Sequence, residues 1–249
     1  MTAAFVHVGD ELLSGRLDPY PREMIERMRQ RGCGVAGVTV VRDDVEEIVS
    51  AFRFSLSLGP AIIVVTGGLG PTLDDVTREA LARLMGAELI VDEEAAGWMD
   101  EALTRMHGHA RRSEIGLRMA RVPPGAQALR NITGAACGVR AAVDGATLFL
   151  LPGFPNESMP MFEEYVLPLV ESEGMVELEV RVMKGEGALE PIFRQLTARF
   201  DVRVASLPSA DWRIRGNAVV IKGAKDEAGR AMAFFEDEVK KLGPDVSCL

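Results

Sequence analysis

The chain has 249 residues, 47% of them hydrophobic, with 28 Lys and Arg against 37 Asp and Glu and a net charge of −9 at pH 7. That length and apolar share suit one large domain, or a large and a small one. The acidic balance argues against nucleic-acid binding as a main function, which needs a basic face; Arg111-Arg112 reads as a solvated surface patch.

No apolar run reaches membrane-spanning length, and the residues before Gly9 are too few and too mixed for a signal peptide. The expectation is a soluble cytoplasmic protein with no membrane partner. Cys33, Cys137 and Cys248 are scattered, without the paired spacing of a zinc motif or a disulfide framework. Cys137 reads as a small buried thiol. Among the three histidines, His107 and His109 read as surface loop and His7 as a satisfied core residue.

In chain order, Ala3–Val8 reads as the first strand, followed by the glycine-bounded turn Gly9-Asp10-Glu11-Leu12-Leu13-Ser14-Gly15. Residues 21–31 carry Met24, Ile25 and Met28 at helical spacing and stop at Gly32. Gly37–Val41 is a second strand, residues 45–58 a helix, and Ala61–Val65 a third strand. Residues 78–85 and 92–106 read as helices, 107–118 as a charged, loosely helical stretch, and 121–126 as a connector. Residues 131–139 read as a small-residue loop, 147–151 as a buried strand, and 161–170 as a helix. The alternation of strand and helix predicts a parallel, doubly wound sheet in an α/β fold.

Character changes near Glu171-Ser172-Glu173-Gly174. Beyond it, strand (176–183), helix (190–200), strand (202–206), strand (218–222) and helix (226–242) form a βαββα order. This suits a small α+β domain with helices on one face of an antiparallel sheet. The expected domains are 1–172 and 173–249.

The stretch from Thr66 to Thr77, Thr-Gly-Gly-Leu-Gly-Pro-Thr-Leu-Asp-Asp-Val-Thr, carries the most chemistry. It joins a buried strand to a helix start. Glycines let a backbone approach a ligand closely, and a helix N-terminus offers N–H groups to an anion. Amides of Gly67, Gly68 and Gly70 would cradle phosphate, and Asp74 or Asp75 would hold a hard cation beside it. Ligands of such sheets bind at the carboxyl ends of strands, where the loop after Val8 also lies.

Five segments together resemble the Mog/MoeA-type molybdopterin-binding domain, and more narrowly the amino-terminal part of the CinA (competence/damage-inducible) family. They are residues 9–15, Asp43-Asp44, residues 66–77, Asn131-Ile132-Thr133-Gly134 and residues 151–157, in family order over residues 4–170. Residues 175–243 resemble the small α+β domain that follows, and the carboxyl-terminal amidase domain of longer relatives is expected to be absent. The resemblance implies a three-layer α/β/α Mog-like domain and a metal-dependent pyrophosphatase acting on ADP-ribose or a related dinucleotide. The other reading it leaves open is a non-catalytic protein binding molybdopterin or a nucleotide, linked to molybdenum cofactor biosynthesis. It implies Mg²⁺, Mn²⁺ or Co²⁺ held by Asp74 and Asp75, with Glu11 joining them in catalysis. Ligand contacts would come from Gly9, Asp10, Gly67, Gly68, Gly70, Thr72, Asn131, Gly134, Gly153, Asn156 and Glu157. A homo-oligomer, dimer or trimer, is expected.

Two segments depart from that family. Where it has Asp-Thr-Asn after the first glycine loop, this chain has Pro19-Tyr20-Pro21; where it tends to Gly-Thr-Ala-Pro-Gly, this chain has Gly134-Ala135-Ala136-Cys137-Gly138. The second change removes a hydroxyl and a turn-fixing proline together.

Overall fold

A computed structural model describes residues 1–16, 21–108, 113–170, 174–209 and 216–243. Two compact units emerge, one of residues 1–28 and 33–170 and one of residues 29–32 and 171–249.

The larger unit is built on a six-stranded sheet in the order β2-β1-β3-β8-β7-β6. Its strands are β1 (Thr2–Val8), β2 (Gly34–Val41), β3 (Ile62–Thr66), β6 (Gln127–Leu129), β7 (Gly138–Val143) and β8 (Ala146–Leu151). β1, β2, β3 and β8 run parallel, with Val6 beside Val65 and Val65 beside Leu150. β7 and β6 are antiparallel to their neighbours, so the sheet is mixed rather than wholly parallel as the sequence alternation predicts. The cause is local: β7 and β8 are joined by the tight Asp144-Gly145 turn, with both residues at positive φ, and a two-residue turn can only return a strand antiparallel. The stretch 131–139, expected to be all loop, gives its last two residues to β7. Ile90–Val91 (β4) and Arg121–Val122 (β5), the latter expected as connector, form a separate two-stranded ribbon.

Alternation along β1 fills both sides of the sheet. Ala4, Val6 and Val8 enter a core with Ile48 and Phe52 of α3 (Val45–Ser57), Leu81 of α4 (Thr77–Met85) and Met99 of α5 (Glu93–His107). Ala3 and Phe5 enter a second core with Met24 and Met28 of the helix Arg22–Gln30 and with Phe162. Side chains on a strand point alternately to opposite faces, so one buried strand needs helices on both. The result is the α/β/α sandwich that the family resemblance implies. The helix expected at 161–170 instead begins as α7 at Pro155–Met161, where Pro at its first position costs no hydrogen bond. It continues through Phe162–Val166 as a wider turn.

The smaller unit has β9 (Met175–Val182), β10 (Val202–Leu207) and β11 (Asn217–Ala224) in the order β10-β11-β9, all antiparallel. Val180, Val182, Val219 and Ile221 pack with Leu189, Ile192 and Leu196 of the helix Glu186–Arg199 and with Phe235 and Val239 of the helix Lys225–Lys240. No helix among the described residues is long and apolar enough to cross a membrane.

Candidate functional site

The strand order fixes where a ligand can enter. From β1 the chain moves outward to β2, then crosses back to β3 on the other side of β1, so the topology reverses between β1 and β3. Loops leaving the carboxyl ends of those two strands splay apart and open a crevice. In this protein a crevice of about 900 Å³ lies there, lined by the ends of β1, β3 and β8 and by their loops. That volume is ample for a nucleotide-sized ligand.

The first wall is the loop after β3. Thr77 is fully buried, donating its hydroxyl to Gly67 O at 2.9 Å and its amide to Gly68 O at 3.2 Å. Gly67 has φ 99° and Gly68 φ 64°, values that L side chains rarely adopt. A Cβ on Gly67 would collide with the Val8 carbonyl, and one on Gly68 with the Thr77 hydroxyl. Glycine is therefore demanded here by the fit of the loop against β1 and α4.

The Asp75 carboxylate closes the same loop on itself. It accepts from the Gly70 amide at 2.8 Å and the Thr72 amide at 2.8 Å, and from the Thr72 hydroxyl. Arg118 donates to Thr72 O at 2.7 Å and to Asp75 O at 3.3 Å from outside. Arg78, only 3% exposed, crosses beneath and donates to Leu69 O at 2.6 Å, Met119 O at 2.9 Å and Cys137 O at 2.6 Å. One guanidinium thus ties three loops together, a task its several fixed donors suit.

The second wall is acidic. Asp10 donates its amide to Asp43 Oδ2 at 3.0 Å, which draws the loop after β2 onto the loop after β1. Burial pushes the Asp43 carboxyl above its usual range; the Asp10 amide opposes this, while the charges of Glu11, Asp10 and Asp74 add to it. The carboxylates of Glu11, Asp43 and Asp74 thus line the crevice, with Asp10 close enough to act on Asp43. Its next neighbour Asp44 has a different job, capping α3 through Glu46 N at 2.9 Å and Glu47 N at 3.0 Å.

The third wall is the pair of loops around Asn131 and Glu157. Asn131 donates to Ala136 O at 3.1 Å and Glu157 Oε2 at 2.6 Å, and its oxygen accepts from Thr133 N, Thr133 Oγ1 and Gly134 N. Glu157 lies across Gly134 so closely that a Cβ there would overlap its carboxylate.

Of the residues expected from the sequence, Gly9, Glu11, Gly67, Gly68, Gly70, Asp74, Asp75, Gly134, Gly153 and Glu157 line the crevice. Asp10, Thr72, Asn131 and Asn156 do not. Asp10 acts through its backbone, Thr72 fastens Asp75, and Asn131 has its side-chain donors committed to Ala136 O and Glu157. Asn156 is solvent-exposed. The phosphate cradle also needs correcting, because Gly67 N is bonded to Leu151 O at 3.1 Å and Gly70 N to Asp75. The amides of Gly68 and Leu69 have no partner among the described residues and are the ones left for an anion. Of Pro19-Tyr20-Pro21, only Pro21 lies within the described residues, and it lines the crevice.

Sequence reasoning missed three residues of the site. Asp43 had a signal, the Asp43-Asp44 pair. Arg78 had none, since its partners lie 9, 41 and 59 positions away. His7, expected to be a satisfied core residue, lines the crevice with one ring nitrogen bonded and the other without a partner among the described residues.

Among the described residues no three of His, Cys, Asp and Glu stand close enough together to hold a metal ion as the side chains lie. The donor chemistry nonetheless fits a hard divalent cation. Glu11, Asp43 and Asp74 line the crevice with oxygen ligands alone, and Asp43 feels three neighbouring negative charges.

Comparison with known proteins agrees with this geometry. Residues 4–172 match the family model described as "Probable molybdopterin binding domain". A Pyrococcus furiosus protein is 33% identical over 245 residues, covering 96% of this chain and 97% of its own. A Caldicellulosiruptor bescii protein named as competence-damage inducible is 34% identical over 201 residues, 79% of this chain and 48% of that one. The crystal structure of CinA from Thermoplasma acidophilum superposes with a TM-score of 0.62 at 31% identity, covering 69% of this chain and 99% of that one. With its glycine loop, its α/β/α sandwich and these relatives, the chain belongs to the molybdopterin-binding domain family, among the CinA proteins.

Proposed function

We propose that the protein is a metal-dependent pyrophosphatase that hydrolyses ADP-ribose or a related dinucleotide. The supporting observation is the convergence at one topological switch point of the Gly68 and Leu69 amides, without partners among the described residues, with the carboxylates of Glu11, Asp43 and Asp74. Donors and acidic groups lining one crevice suit a pyrophosphate with a cation between it and the protein.

In this reading the Gly68 and Leu69 amides bind one phosphate, with the N-terminus of α4 behind them adding a favourable dipole. Asp74 and Asp43 hold the cation, which leaves Glu11 free as a base. Mg²⁺, Mn²⁺ or Co²⁺ bound there would supply charge neutralisation and water activation. Glu11 accepts the proton of the attacking water as its oxygen bonds to phosphorus and the bridging P–O bond breaks, giving AMP and a sugar phosphate. Asp75 keeps the loop in shape without touching the substrate. Gly134 gives Glu157 room to reach the crevice. A cytoplasmic homo-oligomer, dimer or trimer, belongs to the same reading and is checked by light scattering on a sizing column.

The test is AMP release from ADP-ribose by purified protein with each metal, beside Asp74→Asn. Release that needs metal and is lost in the variant supports the reading; no release with any metal overturns it. The second reading is a protein that binds molybdopterin or a nucleotide without turnover. It is favoured by the commitment of both Asp75 oxygens to the loop, which diverts one of the two expected metal ligands. A rise in melting temperature with ligand, but no AMP, would select it.

A further inference from the structure

His7, one residue before the end of β1, pairs with Thr66, the last residue of β3, so the two residues face each other across the topological switch point. The imidazole is 5% exposed, stacked over Phe5 with ring centroids 6.3 Å apart, and its Nδ1 lies 2.6 Å from Thr66 Oγ1. Its Nε2 is buried and has no partner among the described residues, although His7 and Thr66 both line the crevice. A buried polar atom left unmatched is costly, and one on the wall of a binding crevice calls for a partner that arrives with the ligand.

We propose that His7 is a ligand-binding residue whose Nε2–H donates a hydrogen bond to a phosphate oxygen of a nucleoside diphosphate bound in the crevice, its tautomer set by Thr66.

The direction follows from counting donors. If Nδ1 carried the proton, the Thr66 hydroxyl would be the acceptor. Its own hydrogen would then have no acceptor among the described residues, and Nε2 would be unmatched as well. With the Thr66 hydroxyl donating to Nδ1, only Nε2–H remains, and one ligand oxygen satisfies the pair. Burial pushes the imidazole down to about 4, so at neutral pH the ring is an uncharged donor with a fixed tautomer. The Gly68 and Leu69 amides on the neighbouring loop are donors of the same kind. All three favour an acceptor-rich, anionic group over a ligand that presents donors.

This inference rests on the nucleotide reading above, and the experiment separates their failures. Long-range ¹H–¹⁵N spectra resolve the ring nitrogens of the chain's three histidines. The full-length protein, with metal removed so that the ligand stays intact, is titrated with ADP-ribose, then with AMP and inorganic pyrophosphate. His7 is expected as the Nε2–H tautomer before addition, with its Nε2 signal moving on saturation. His7→Met is expected to bind ADP-ribose about 10-fold or more weakly, the scale of a lost hydrogen bond to a charged group. His7→Gln, which keeps an N–H near the position of Nε2, should stay within a few-fold of the original. Spectral dispersion of the unliganded variants verifies that both are folded. If ADP-ribose moves other resonances while His7 stays still, or if folded His7→Met binds unchanged, the assignment of His7 is overturned and the nucleotide reading survives. If none of the three probes binds the original protein either without metal or with Mg²⁺, Mn²⁺ or Co²⁺ restored, both are overturned. If ADP-ribose binds through His7 and is never hydrolysed with metal restored, the His7 assignment stands and the pyrophosphatase reading fails.

Discussion

The Asp75 carboxylate sits where a side chain on Gly70 would have to go, and it accepts the Gly70 amide at 2.8 Å. The two adjacent aspartates of the loop therefore have different work. Asp75 reaches inward to hold the loop, while Asp74 is exposed at the mouth of the crevice.

Asp75→Ala should accordingly destabilise the protein, by about 1–3 kcal/mol for lost charge-assisted hydrogen bonds. In a unit of this size that is a fall in melting temperature of roughly 2–10 °C. Asp74→Asn should leave the melting temperature within about 1 °C, because its hydrogen bond with Thr72 and the pull of Arg118 act in open solvent, while abolishing metal-dependent AMP release. Melting curves and the AMP assay on the two variants check the division; equal melting losses would remove it.

Arg78→Met should be among the most damaging single changes in the chain. It strands the carbonyls of Leu69, Met119 and Cys137 in a dry setting, for a loss of about 3–5 kcal/mol. Urea denaturation measures it. Arg78→Lys should recover only part, since an ammonium cannot match the guanidinium fork to three separated carbonyls.

The pH dependence of stability should carry a His7 contribution. Its folded value of about 4 lies below the ordinary 6.5. Above pH 6.5 both folded and unfolded imidazoles are neutral and the effect is nil. As pH falls from 6.5 to 4 the unfolded chain takes up a proton that the folded chain refuses, so stability is lost, by on the order of 3 kcal/mol at the end of that window. Denaturation of the protein and of His7→Gln at pH 7 and pH 4.5 checks this. The gap between the two pH values should shrink in the variant.

Phe154 is 70% exposed and lines the crevice, so it adds little to the core and is free to stack on a flat heterocycle. Phe154→Ala should weaken ADP-ribose binding about 2- to 10-fold, the scale of an aromatic pair, with the melting temperature unchanged. Ribose 5-phosphate, which has no aromatic base to stack, should bind both proteins equally. Calorimetry with the two ligands tests it.

What the sequence could show was set by distance along the chain. The glycine loop is legible because a buried strand, turn residues and a helix start follow one another within twenty residues, and each obeys a local rule. The βαββα order of the small unit is legible for the same reason. Asn131 and Asp75 were visible as polar residues in the right loops, but not their tasks, because the bonds that commit them depend on how each loop closes. The antiparallel turn at Asp144-Gly145 escaped notice since a short apolar stretch of small residues, Gly138–Val143, carries no strong period of its own.

The sequence by itself therefore determined the α/β class, the glycine loop between strand and helix, and the family, all of which rest on local order and spacing. Only the tertiary structure decided that Asp43 joins the acidic wall from 33 residues away, that Arg78 ties three loops, and that His7 meets Thr66 across 59 residues. The physical reason is that these pairings come from strand order. β1 lies between β2 and β3, and side chains at their ends become neighbours only once the sheet has formed.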